Sequence, residues 1–199
     1  MPKFVVKLMN IVVRTASGKY IVRPDTTWEK DNENLYLPEF VDGISYTPVL
    51  FARICKPGRS IGRNFAARYY DAVNYGVLLY PESLLDGSEE AFACASCLDH
   101  TSFLPFPLQD RSCLSSEGQF DLSIRRGNGD EKQFRLNSSS AAIIESAIVE
   151  ATRFIYIRSG DLIAIELQPR EMAGCREDGR LEFRGNCFGQ AAIGFDLIY

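Results

Sequence analysis

The chain has no apolar run near the roughly 20 residues that a bilayer-spanning helix needs, and it has no internal repeat or low-complexity tract. It also has no concentrated basic patch. Its 22 Lys and Arg are outnumbered by 26 Asp and Glu, for a net charge of −4. The densest basic cluster, Arg125, Arg126 and Lys132, is interrupted by the turn residues Gly127, Asn128 and Gly129. Phosphate-backbone binding needs concentrated positive charge, so nucleic acid is excluded as the main partner, and the missing apolar run excludes a helical membrane span. Histidine occurs once, at His100, and C-x-x-C occurs once, at Cys94–Cys97. No second C-x-x-C or C-x-x-H completes a zinc motif. Cys94, Cys97, His100 and Cys113 remain a conceivable Cys3His set, or the first pair a redox dithiol. Two loop thiols beside a core is the plainer interpretation.

The 199 residues, 46% hydrophobic and 24% charged, suit one soluble globular domain over 1–199. The N-terminal "MPKFVVKLMNIVV" is broken at Lys7 and lacks a small-residue cleavage site, so it reads as a first strand and not a signal peptide. With no sign of secretion, the six cysteines are expected as reduced thiols in the cytoplasm. Further strands are expected at "YIVRP", stopped by Pro24, at Leu35–Pro38, at Tyr46–Ile54, at "VLLY" before Pro81, and in the hairpin around "RRGNGDEK". "RSGDLIAIEL", "GRLEFRG" and "QAAIGFDLIY" complete the set. Two helices are expected. One covers residues 64–76 with Asn64 as N-cap. The other, "SSSAAIIESAIVEATRF", is capped by Ser138 or Ser139, with Ile143, Ile144, Ala147, Ile148 and Ala151 at helical spacing. Residues 82–118 read as irregular. Many strands with two or three short helices predict an α+β, mostly β fold.

Several short motifs fall in a telling order: "RPD" at Arg23–Asp25, "LPEF" at Leu37–Phe40, "FAARYYDAVNYGVLL", "RGNGDEKQF", and "SAIVEATRFIYIRSGDLIAIEL". Together they resemble the fumarylacetoacetate hydrolase family, collinearly over nearly the whole chain. The resemblance implies a mixed β-sheet roll or barrel; its weakest-marked stretch is residues 82–99, which look shorter than the family's. It further implies homodimers, and hydrolysis, decarboxylation or isomerisation of acylpyruvate-like keto acids through a bound Mg or Mn ion.

The family's metal ligands are an E-x-E pair and an Asp. Here those places hold Thr47, Val49 and Leu78. A hydroxyl and two aliphatic groups do not replace three carboxylates, so the expectation is a protein without a metal cofactor that has lost the reaction and serves as a binding module. Glu82 lies near the third position but is a single carboxylate. The family's early histidine corresponds to Arg14, which stays protonated and is no general base. Arg23 stands for a lysine, Ser96 for another, and Asp99 is kept. Glu166, with Ile165, adds bulk and negative charge where the family has a glycine-rich loop. Arg14 and Arg23 are candidates for holding a small organic acid in a vestigial cleft. The alternative is a working Mg- or Mn-dependent acylpyruvate hydrolase or keto-acid isomerase or decarboxylase with a displaced site.

Overall fold

The structure is a computed structural model and describes residues 9–115, 120–127, 129–137 and 139–199. Its strands, in chain order, are β1 Ile11–Arg14, β2 Tyr20–Arg23, β3 Trp28–Glu29, β4 Leu35–Tyr36, β5 Gly43–Ile54, β6 Tyr70–Pro81, β7 Ser102–Phe103 and β8 Gln109–Asp110. They continue with β9 Phe120–Arg126, β10 Glu131–Leu136, β11 Leu162–Glu166, β12 Glu171–Cys175, β13 Arg180–Cys187 and β14 Gln190–Ile198. Two α-helices join them, α1 Glu89–Ala95 and α2 Ala141–Ala151. The α+β, mostly β expectation holds, with two mixed sheets, one curled into a half-barrel.

The larger sheet runs β2-β1-β11-β5-β6-β7-β3, with β12 on β5 and β8 on β6; the smaller runs β10-β9-β13-β14-β4. Both faces of the larger sheet are covered. One set of side chains, among them Val12, Leu50, Tyr75, Val77, Ile163 and Ile165, joins α2 and the inner face of the smaller sheet in one apolar cluster. The alternate residues Ile11, Val13, Val49, Phe51, Leu78, Tyr80 and Ala164 form a second cluster on the opposite face. Period-two alternation therefore sends each strand's neighbours into different cores.

This double burial explains the main misreading of the sequence. Residues 64–76 were expected as a helix; they form a 3-10 turn at Arg63–Arg68, preceded by Gly62 and not capped by Asn64, and then the first half of β6. A strand apolar on both faces has no polar alternation, and periodicity alone does not separate it from a buried helix. Conversely, α1 lies inside the stretch expected to be irregular. Ser88 caps it by accepting from Ala91 N, and Glu89 and Glu90 fill its first turn, where carboxylates suit the helix dipole. Helix α2 is capped by Ser140, not Ser139; Ser138 and Asn128 lie outside the described residues, as does most of the expected first strand. The β9–β10 hairpin is as expected, with Gly129 at φ +94°.

At Gly76, opposite Val49 in the β5–β6 register, a Cβ would overlap the Phe103 carbonyl oxygen and press on Leu104. The backbone around residue 103 can lie this close to β6 only over a glycine. Gly76→Ala is expected to cost about 1–3 kcal/mol through overpacking, read as a lower urea midpoint at unchanged slope.

Candidate functional site

Strand register sets the site. Thr47 pairs with Leu78 across β5–β6, and Val49 lies two residues on, facing the same side. The three positions read as vestiges of a metal site therefore do converge. Their surroundings are apolar: Val49 and Leu78 are fully enclosed with Ile11, Val13 and Phe51. The Thr47 hydroxyl is also enclosed and donates to the Gln168 carbonyl at 2.8 Å. This donor set does not fit a divalent ion, which needs several oxygen ligands, mostly carboxylates.

Polar chemistry on that face sits beside these residues. Glu166, at the end of β11, pairs with Val49. Its Oε1 accepts from the Tyr80 hydroxyl and its Oε2 from Ala16 N, both at 2.8 Å. Burial is the largest influence and raises the Glu166 carboxyl above its ordinary range, against the lowering effect of these donors, Arg170 and Arg23. Ile165 and Glu166 end the strand expected at "RSGDLIAIEL", where the family's glycine-rich loop was aligned, and Ile165 points into the core on the face opposite Glu166.

Arg23 is completely buried. Its Nε donates to the Ser96 carbonyl at 2.9 Å, and one terminal nitrogen donates to the Leu79 carbonyl at 3.0 Å and to Thr101 Oγ1 at 2.7 Å. Its guanidinium carbon lies 4.9 Å from the Tyr80 ring centre. Because β2 is one edge of the large sheet and Leu79 belongs to β6, these bonds tie the curled sheet across its hollow. Burial lowers the Arg23 pKa, and Tyr80 and Glu166 oppose that; arginine remains charged regardless.

Outside this enclosed layer is a cavity of about 640 Å³, bounded by the β1–β2 turn, the chain after β11, and the segment around α1. Lys19, Tyr20, Phe92, Glu166 and Arg170 are among its walls. The Arg170 guanidinium carbon lies 5.2 Å from the Tyr80 ring centre and 4.9 Å from that of Phe92. Lys19, Phe92 and Arg170 were not singled out in the sequence. They meet only because β1 pairs in parallel with β11, so turns far apart in the chain share one end of the sheet.

The two arginines proposed to act together are separated. Register pairs Arg14 with Tyr20 and Ile11 with Arg23, so the side chains leave opposite faces. Arg14 turns toward α2, where its Nε meets Glu150 Oε2 at 3.3 Å. Ser96 contributes its carbonyl to Arg23, while its hydroxyl donates to the Phe92 carbonyl at 2.7 Å. Asp99 is an exposed turn residue, and Glu82 begins a 3-10 turn after β6. His100 Nδ1 lies 3.5 Å from Glu29 Oε2. Cys94, Cys97, His100 and Cys113 are not brought together as a metal site; among the described residues no group of three His, Cys, Asp or Glu is placed to hold an ion. Asp161, from the "GD" turn, is a brace: its carboxylate accepts from Asn10 N at 2.9 Å and Arg158 N at 2.7 Å. Among the described residues, no helix is long and apolar enough to cross a membrane.

No protein-family model and no curated relative matches the sequence. Solved structures do match, and they define the fold as that of the fumarylacetoacetate hydrolase family. A protein of that family from Yersinia pestis CO92 superposes with TM-score 0.74 at 16% identity, covering 96% of this chain and 93% of its own. Fumarylpyruvate hydrolase from Pseudomonas aeruginosa, solved with Mn2+ and pyruvate, gives 0.73 at 15% identity over 96% and 90%. Maleylpyruvate hydrolase from Sphingobium sp. SYK-6 gives 0.67 at 15% identity over 96% and 70%.

Proposed function

We propose that this chain is a fumarylacetoacetate hydrolase family protein that keeps the fold as a small-molecule binding module and has lost the divalent-metal reaction. The observation that carries this reading is the enclosure of Thr47, Val49 and Leu78 in an apolar wall. An ion placed there would surrender its hydration shell for one hydroxyl already engaged with Gln168. The buried guanidinium of Arg23, stacked on Tyr80 two residues beyond Leu78, adds a fixed positive charge that disfavours a second cation nearby. The cavity beside this wall supports the binding half of the reading, since its volume falls within the range of small-molecule sites. Titration calorimetry with MnCl2 and MgCl2 is expected to give no saturable heat, and acylpyruvates such as fumarylpyruvate are expected to show no turnover with either ion. Stoichiometric Mn2+ binding together with acylpyruvate cleavage would overturn the reading.

One observation favours a second reading, a displaced hydrolase: Glu166 is a carboxyl with a burial-raised pKa at the wall of the cavity, as a general base often is. Acylpyruvate turnover that persists in EDTA and vanishes in Glu166→Gln would establish it over the first.

A further inference from the structure

The cavity carries charges of both signs, arranged unlike a site for a simple acid. Lys19 and Arg170 line it, and among the described residues neither side chain has a hydrogen-bond or ion-pair partner. The Arg170 guanidinium is nonetheless positioned, lying over the rings of Tyr80 and Phe92 with its N–H donors uncommitted. Glu166 lines the same cavity. Each of its oxygens accepts one protein donor, which leaves each a further lone pair. Tyr20, Ile21 and Leu85 give the walls an apolar part.

Opposite charges in one small, partly desolvated space select against either pure ion. A dicarboxylate or keto acid would satisfy Lys19 and Arg170 but press against Glu166. A simple amine would satisfy Glu166 but meet two cations. We infer that the cavity takes a zwitterion, an α-amino acid with an apolar side chain, whose carboxylate meets Arg170 and Lys19 and whose ammonium meets Glu166. A guanidinium binds a carboxylate through paired charge-assisted bonds, and an ammonium donates single charge-assisted bonds to a carboxylate. The inference rests on reading this cavity as a binding site, and it concerns residues apart from the apolar wall at Thr47, Val49 and Leu78.

A matched set of ligands tests it on the whole chain without added metal: L-phenylalanine, phenylpyruvate and phenethylamine, with L-leucine, 4-methyl-2-oxopentanoate and isoamylamine as a second set. Calorimetric titration is expected to give saturable binding of the amino acids, at least tenfold tighter than of the keto acid or amine of the same skeleton. Glu166→Gln is expected to bring the amino acid down to the level of its keto acid. Arg170→Ala, at an exposed position, is expected to weaken amino acid and keto acid alike by about tenfold while leaving the circular dichroism spectrum unchanged. A keto acid that binds as tightly as its amino acid, or a panel with no binder, would overturn the inference. Neither result touches the metal titration above, so the two readings fail separately.

Discussion

Arg23→Ala is expected to remove about 3–5 kcal/mol of unfolding free energy, a large share of the 5–15 kcal/mol typical of a domain. Two effects add. The substitution empties a volume that has no access to solvent, so a cavity remains. It also strips donors from the Ser96 and Leu79 carbonyls and from Thr101 Oγ1, and buried acceptors left without donors cost about 1–3 kcal/mol each. Arg23→Met separates the two. It refills most of the space without restoring a donor, and well-packed apolar replacements of buried charges are often well tolerated, so it should recover at least about 1–2 kcal/mol of the loss. Urea unfolding of the three proteins decides the matter. A midpoint for Arg23→Ala within experimental error of the parent would show that the guanidinium does not tie the sheet together.

Val49→Glu is expected to be of similar size, about 3–5 kcal/mol, because it places a carboxyl among Ile11, Val13, Phe51 and Leu78 with no donor set to meet it. The substitution also restores one of the carboxylates that the fold's enzymes are expected to carry at this place. An open, hydrated ion site would accept the change with little loss; a dry wall would not. Phe40→Glu, at a position 52% exposed, is the control and should shift stability by no more than about 0.5 kcal/mol. A parent-like midpoint for Val49→Glu would remove the main support for lost metal chemistry.

The fold was largely legible because its signals are local and ordered: the glycine turn after Arg126, the helical spacing of Ile144, Ala147, Ile148 and Ala151, and the β-branched richness of β1. Tyr70–Asn74 deceived because both faces of β6 are buried, which erases the alternation that marks a strand. Helix α1 was hidden by Ser and Asp residues that resemble a loop, although Ser88 followed by Glu89 and Glu90 is a readable helix start. The site was legible only where strand position decides direction. Alternation alone puts Thr47 and Val49 on one face of a strand; Leu78 was joined to them by the family resemblance, and the β5–β6 register sets it opposite Thr47. Arg14 and Arg23 could not, because the hairpin register that sends them to opposite faces is written in no motif. Arg170 was invisible because its role depends on two rings, from β6 and α1, that only the folded sheet delivers.

The parallel pairing of Ile11–Arg14 with Leu162–Ile165 bears on how the protein is made. Residues of the first strand must wait for a partner about 150 positions later, locked by the bond from Asn10 to Asp161. On a ribosome adding roughly 5–20 residues each second, that wait lasts several seconds or more. Throughout it, Ile11, Val12 and Val13 have neither β11 beside them nor the two cores they later join, so the large sheet can close only once residue 165 has been made.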